Sequence, residues 1–564
     1  MMGEVLADLL GQWGQYPAFS DRVLSLIGIE AHWAILQYVV GLSFLSFIAY
    51  LIYAKTNDKK WERLAYTLFK GFVIVFAVGA ATGTASEFGL VLLWPNLTEA
   101  AGRYIYFPLY AEVFAFLLEV VFIYLTYYGW KKFGKSAMVV LLFLSFIGPW
   151  YSAAMIVSVN SYMVAPTGIV PAYDPNTGAW LYDQGYPKMT LVVPSNLVEA
   201  LNVTALQAAG MTVKDTLSDA VVVEMPVKIV QRLVYEAWAG YTVKDSILAL
   251  VANKDYVQAH PDILNVPVKD IVDKILVKTI ETVGVTTVTF KSPVYLASIL
   301  HVIGAALTVS SFTIMAAYAM RIKSYGKSPK EYKDYVNAAF KFAAVSALVT
   351  IAIQGFVFGH EMGTSIAHYN PEKFAAMEAT TDQITPVTKI LPGGEKLVAL
   401  LAYGDPNAPL PNYDKIPSDY CFFPATLQED AARIGSCKPP LIIHYLYYAK
   451  TGLGILMGLY ALAIVFYLWR TKDPEKTPRW LLSVAPLSII IIQFVSFLGW
   501  AVREIGRKPW TIYGVMTPDV AHTVNPPSVG AVTLVAIFFL AILAALGYSV
   551  YRFLWLPGKP EEVK

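Results

Sequence analysis

Nine runs of roughly 20 mostly apolar residues, near 31–53, 64–93, 105–130, 137–163, 294–320, 336–359, 440–469, 480–502 and 528–554, constrain this chain more than any other feature. Each can cross the roughly 30 Å hydrocarbon layer of a bilayer as a helix rising about 1.5 Å per residue. With 564 residues, 56% of them hydrophobic and 15% charged, and a mean hydropathy of +0.51, the chain carries more apolar surface than a water-soluble core absorbs. The expectation is an all-α polytopic membrane protein with nine transmembrane helices. An odd number of spans puts the termini on opposite sides. The short connections Lys55 to Arg63, Lys131 to Lys135, Arg321 to Asp334 and Arg470 to Arg479 are net positive, so the positive-inside rule expects the N-terminus outside and the C-terminus in the cytoplasm. The start of the chain lacks the basic-then-apolar pattern of a cleaved signal, and the first span is expected to insert as it stands.

This topology divides the chain into residues 1–163 with spans one to four, an outside insertion over 164–293, residues 294–359 with spans five and six, a second outside loop over 360–439, and residues 440–564 with spans seven to nine. The insertion changes to soluble αβ-like patterning (TLVVPSNLVEALNV, VVVEMPVKIVQRLVYEAW) and is long enough for a small extracytoplasmic domain. The second loop holds the only two cysteines, Cys421 and Cys437, so the chain by itself supplies neither an iron–sulfur cluster nor a Cys-type zinc site. Their spacing is compatible with a disulfide in an oxidising compartment; two free thiols are the alternative. A formal net charge of +2 gives no sign of a nucleic-acid partner.

Polar side chains inside the spans carry the functional information, because charge at that depth needs a partner. WAVREIGRKPWT, from Trp500 to Thr511, ends an apolar span with a carboxylate and cations. His32 and His301 sit at similar expected depths in the outer halves of spans one and five, which suits axial haem ligation by imidazole and equally suits hydrogen bonding between helices. Glu112 and Glu119, seven residues apart, share one face of span three at about 10 Å separation along its axis, as in a proton relay or as two protonated structural acids. Glu87 is a third acid, near the outer end of span two. Lys373 and Glu378 lie on a short amphipathic stretch just outside the membrane, where charged residues usually form a solvated face.

Taken together, RVLSLIGIEAHWAILQYVVGL, GAATGTASEF, FPLYAEVFAFLLE, VNSYMVAPTG, SPVYLASILH, NPEKFAAMEA and WAVREIGRKPWTIYGVM resemble subunit I of the cytochrome bd-type quinol oxidases, in order and over most of the chain. The resemblance implies quinol:oxygen oxidoreduction in a prokaryotic plasma membrane, with protons released outside and drawn from the cytoplasm, and a proton-motive force generated without a pump. It implies a low-spin haem b ligated by His301, a high-spin haem b, and a haem d or third haem b, the high-spin pair being held by His32 and Glu504. Trp500 would lie among the haems. Arg22, Arg507, Lys508 and Trp510 would line their propionates, Glu112, Glu119 and Glu87 would serve proton delivery, and Lys373 with Glu378 would bind quinol. A second membrane subunit, either a subunit II or a subunit I-like paralogue, is the implied partner, with a small accessory subunit as a further candidate.

The chain departs from the family pattern in four places. GRKP replaces GRQP, adding Lys508. Glu112 and Glu119 are one residue closer than the family's two acids. The first outside loop is long where a short connection is usual. In HYLYYAKTGLGILMG, Lys450 stands where the family carries the methionine ligand of the low-spin haem. A neutral lysine can ligate iron, giving a His301/Lys450 pair; snorkelling or propionate pairing by Lys450 is the competing reading. A non-catalytic haem b electron-transfer paralogue and a proton-coupled transporter are the other function classes.

Overall fold

The computed structural model describes residues 19–104, 106–283, 292–522 and 528–550. Helix α1 spans Phe19–Thr56, and a two-residue turn leads to α2 over Lys59–Leu93. Asn57, at φ 57°, reverses the chain, and the Asp58 carboxylate caps α2 by accepting from the Lys60 N–H, satisfying one of the orphan donors at a helix start. A short helix over Pro95–Tyr104 precedes α3 over Tyr106–Gly129 and α4 over Lys135–Val164, which carries Pro149 in its interior.

The insertion follows. Strands β1 (Ile169–Val170), β4 (Lys188–Pro194), β6 (Ala220–Pro226) and β5 (Thr212–Thr216) form an antiparallel sheet in that order, with a small hairpin of β2 (Tyr173–Asp174) and β3 (Ala179–Trp180) beside it. Alternate residues Met189, Leu191 and Val193 of β4 face Val230 and Val234 of α5 (Val227–Trp238) and Val268, Ile271 and Ile275 of α6 (Val268–Val283) in one core. Ile512, Val515 and Met516, from beyond the eighth span, enter the same core, so the insertion is packed onto the bundle.

Helix α7 (Tyr295–Ser324) returns through the bundle. Helix α8 (Lys330–Ile353) continues through a π-helical turn at Gln354–Phe358 into α9 (Gly359–Tyr369), so the sixth span runs ten residues past its expected end. Helix α10 (Pro371–Glu378) follows, then the second loop with α11 (Leu427–Ile434), and then α12 (Ile442–Thr471), α13 (Arg479–Ile505) and α14 (Val529–Val550). Among the described residues, nine helices are long and apolar enough to cross a membrane. Cys421 and Cys437 are joined as a disulfide, resolving the two readings of their spacing.

The solvated face expected for Lys373 and Glu378 is not what the fold builds. Lys373 is 2% and Glu378 3% exposed, because the second loop and the insertion cover α10. Their spacing was consistent with an amphipathic surface helix; the covering segments come from distant parts of the chain.

Candidate functional site

The end of α13 gathers the polar groups. Trp500 and Glu504 are one turn apart on this helix, and Arg503 and Arg507 flank the carboxylate. Glu504 accepts from Asn160 Nδ2 on α4 at 3.0 Å and from Arg507 Nη2, while Arg503 donates through Nε to Asn160 Oδ1 and through Nη2 to Ser161 Oγ at 3.4 Å. Lys373 reaches in from α10 and donates to the Arg503 carbonyl at 3.2 Å. Glu504 thus faces three buried cations, and among the described residues Arg507 Nε and Nη1 are buried with no hydrogen-bond acceptor. Unpaired donors on a buried cation are costly, so Arg507 as built is short of an acceptor. Lys508 is half-buried beside this cluster. Trp510 is buried and donates through Nε1 to the Tyr420 hydroxyl at 3.4 Å. The side chain of Arg22 lies outside the described residues.

His32 on α1 turns toward α2. The Thr82 hydroxyl donates to the carbonyls of Val78 and Gly79, so its oxygen accepts from His32 Nδ1 at 3.1 Å. With Thr82 as the acceptor the proton sits on Nδ1 and Nε2 keeps its lone pair, the tautomer a metal-ligating imidazole requires. Gly83 makes room for the ring: a Cβ there would lie 2.9 Å from His32 Cε1. Trp33, next in sequence, stacks on Trp500 at 5.5 Å between centroids and ties α1 to α13. Because the two helices run antiparallel, Glu30, one turn before Trp33, comes to face Glu504, and the two carboxylates interact. Sequence reasoning missed Glu30; its position three residues before Trp33 was the available signal.

His301 on α7 meets the π-helical turn. Gln354 places its amide 3.2 Å from His301 Nδ1, and Gln354 Oε1 has no donor. The Gln354 amide thus holds the His301 ring through Nδ1. The extra residue of a π-turn, invisible to hydropathy, brings Gln354 into this register. Lys450 on α12 lies within electrostatic reach of both His301 and Glu378, with Nζ over the Tyr447 ring at 4.9 Å.

Glu112 and Glu119 both turn from α3 toward α4. Ser152 Oγ donates to Glu112 Oε1 at 3.2 Å, while Glu112 Oε2 is buried and unpartnered. Glu119 fits against Gly148, just before the interior Pro149, where a Cβ would sit 2.6 Å from Glu119 Cγ. Glu87 is exposed on α2.

Helix α10 is bolted at both ends. Asn370 accepts from the Lys373 N–H and donates to the Val164 carbonyl, and His444 Nδ1 donates to the Met377 carbonyl at 2.9 Å. Tyr448 donates to Glu378 Oε2. Burial pushes the Glu378 carboxyl up to about 7, opposed by the Tyr448 hydrogen bond and by Lys450. Burial and the nearby Arg503 push Lys373 down to about 7. Two groups poised near neutrality can exchange protons at physiological pH.

The model of the cytochrome bd terminal oxidase subunit I family matches residues 21–244 and 274–556, nearly the whole chain. The chain belongs to this family. It is 22% identical over 523 residues to a Bacillus subtilis (strain 168) protein provisionally named a cytochrome bd menaquinol oxidase subunit I, covering 91% of this chain and 89% of that one. It is 21% identical over 558 residues to the cytochrome bd ubiquinol oxidase subunit 1 of the same organism, covering 95% and 93%. The bd oxidase structure from Geobacillus thermodenitrificans shares the fold at a TM-score of 0.64 and 20% identity, over 96% of this chain and 99% of that chain. The family and the nine apolar helices make this a multi-pass plasma-membrane protein of a prokaryote. Residues 245–273, unmatched by the family model, fall inside the insertion.

The donor set fits the haem that the family implies. His32 and His301, each held through Nδ1, would offer Nε2 to iron, and the Arg507 N–H groups left unpaired among the described residues suit carboxylate propionates, which a guanidinium fork binds well.

Proposed function

We propose that this chain is the haem-bearing catalytic subunit of a terminal quinol:oxygen oxidoreductase. The observation that carries the reading is the cluster around Glu504, where Arg507 keeps two buried N–H groups unpaired among the described residues. His32 and Glu504 hold the high-spin pair, whether haem b with haem d or two haems b; His301 and Lys450 hold the low-spin haem b, and Arg22, Arg507 and Lys508 neutralise propionates, with Trp500 and Trp510 packed against the group. When bound, the haems carry electrons from quinol to oxygen.

The remaining chemistry belongs to the protein. Lys373 and Glu378 receive the quinol headgroup, and Glu378, held by Tyr448, takes a quinol proton at Oε1. Glu119 and Glu112, with Glu87 at the surface, pass protons toward the oxygen site. With the N-terminus outside, quinol protons leave on the face that bears the insertion, and protons for water enter from the cytoplasm, so charge separates without a pump. The names of the relatives speak of both menaquinol and ubiquinol, and either headgroup presents the hydroxyls that Lys373 and Glu378 would bind. A second membrane subunit completes the enzyme.

The Lys450 position favours one other reading, a haem b electron-transfer paralogue with a five-coordinate iron. A dithionite-reduced minus air-oxidised spectrum of the purified complex, with pyridine haemochrome counting, tests both. Three haems with a low-spin signal that shifts in Lys450→Met support the oxidase and the His/Lys pair. A single haem b sinks the oxidase, and an unchanged low-spin signal in the variant sinks the ligation.

A further inference from the structure

Glu372 precedes Lys373 on α10 and is fully buried, at 0% exposure, yet its donors are two phenols and not a cation. Tyr182 donates to Oε1 at 3.2 Å and Tyr513 donates to Oε2 at 2.8 Å. The donors come from separate segments. Tyr182 stands on the insertion in a short 3-10 turn just after β3; Tyr513 stands in the loop after α13, where its N–H donates to the Met163 carbonyl. The Tyr182 ring is itself fixed, stacked on Trp180 at 5.2 Å and lying 5.2 Å from Tyr420, whose hydroxyl accepts from Trp510. The Trp180 indole donates to the Asn412 carbonyl, so the insertion also grips the second loop.

A carboxylate buried this deeply is tolerated only where donors are held in place for it. Glu372 and Lys373 are neighbours on an eight-residue helix, so any rotation of α10 that frees one displaces the other. We infer that Glu372, clamped between Tyr182 and Tyr513, is a positioning residue that sets the rotation of α10 and thereby the geometry of Lys373 and Glu378 toward quinol. The insertion then has a defined task in the reaction: it carries the hydroxyl that locks the quinol helix. The inference rests on the quinol oxidase reading above.

Tyr182→Phe keeps the stacked ring and removes only the hydroxyl; Glu372→Gln keeps the volume and removes the charge. Both are assayed in the intact complex for quinol-driven oxygen uptake, haem content and dithionite-reduced spectrum. The expected result is a KM for quinol raised at least about tenfold in each, the scale of one lost hydrogen bond to a charged group, with kcat, haem content and spectrum as in the unaltered enzyme. Glu372→Asp, which restores the carboxylate, recovers part of the loss. Unchanged KM in both variants overturns the inference, and so does loss of haem from Tyr182→Phe, which would make the hydroxyl a folding element. Failure of the unaltered enzyme to oxidise quinol is a separate outcome and removes the underlying reading instead.

Discussion

The end of α13 and the acid pair on α3 are both polar intrusions into an apolar bundle, and they are unbalanced in opposite directions. At α13 three cations surround Glu504 and Arg507 keeps unpaired N–H groups; on α3 Glu112 and Glu119 face α4 with one serine donor between them and no cation in direct contact among the described residues. A surplus of buried cations is relieved by binding anions, whereas a surplus of buried acids is relieved by holding protons. On the proposed reading, the first region would bind the anionic ligand and the second would carry protons.

The largest effect is expected from removing a proposed iron ligand. His32→Ala and Glu504→Ala should each lower oxygen uptake by more than about 100-fold, beyond the 10–100-fold typical of residues that merely support a ligand, with the high-spin haem lost in a haemochrome count. Next comes the acid side: Glu119→Gln should leave all haems in place and slow oxygen reduction by about 100-fold, the lower end of what a positioned proton donor contributes. If Glu119→Gln instead loses haem, the two regions are not functionally distinct.

Smaller again is Arg507→Met. It should weaken haem retention by roughly 10-fold, the scale of one charge-assisted hydrogen bond, and Arg507→Lys should not restore it, since an ammonium lacks the planar fork. The smallest effect is in pH dependence. With Glu378 titrating near 7, quinol oxidation should rise with pH up to about 7 and level off above it, and Glu378→Gln should be slow and flat. The sign for stability is opposite. Because burial raises Glu378 above the ordinary 4.5, its contribution to the fold is complete below about 4.5 and lost as pH rises through about 7. Thermal unfolding of the complex across that range checks the direction.

The bundle was legible in the sequence because lipid demands long apolar helices, and because His32, His301, Glu112, Glu119 and Glu504 stand out against them. The spacing of Cys421 and Cys437 also pointed to their pairing. The surroundings of these residues were not legible. Lys373 and Glu378 read as a surface pattern because their partners, the Arg503 carbonyl and the Tyr448 hydroxyl, come from segments far away in sequence. Thr82 and Gln354 hold the histidine rings across helix pairs, and the π-turn that places Gln354 leaves no mark in hydropathy. Glu372 carried no signal beyond its neighbour Lys373, because a buried acid satisfied by two phenols looks in sequence like any exposed one.

The central claim is that the cation-rich end of α13 serves the reduction of oxygen by quinol. The most direct test is oxygen consumption by the purified, haem-loaded complex when quinol is added, with the His32→Ala complex alongside. Rapid uptake by the unaltered complex and none by His32→Ala is the predicted result. A complex that binds its haems, accepts electrons from quinol and still consumes no oxygen would contradict the account and leave an electron-transfer subunit in its place.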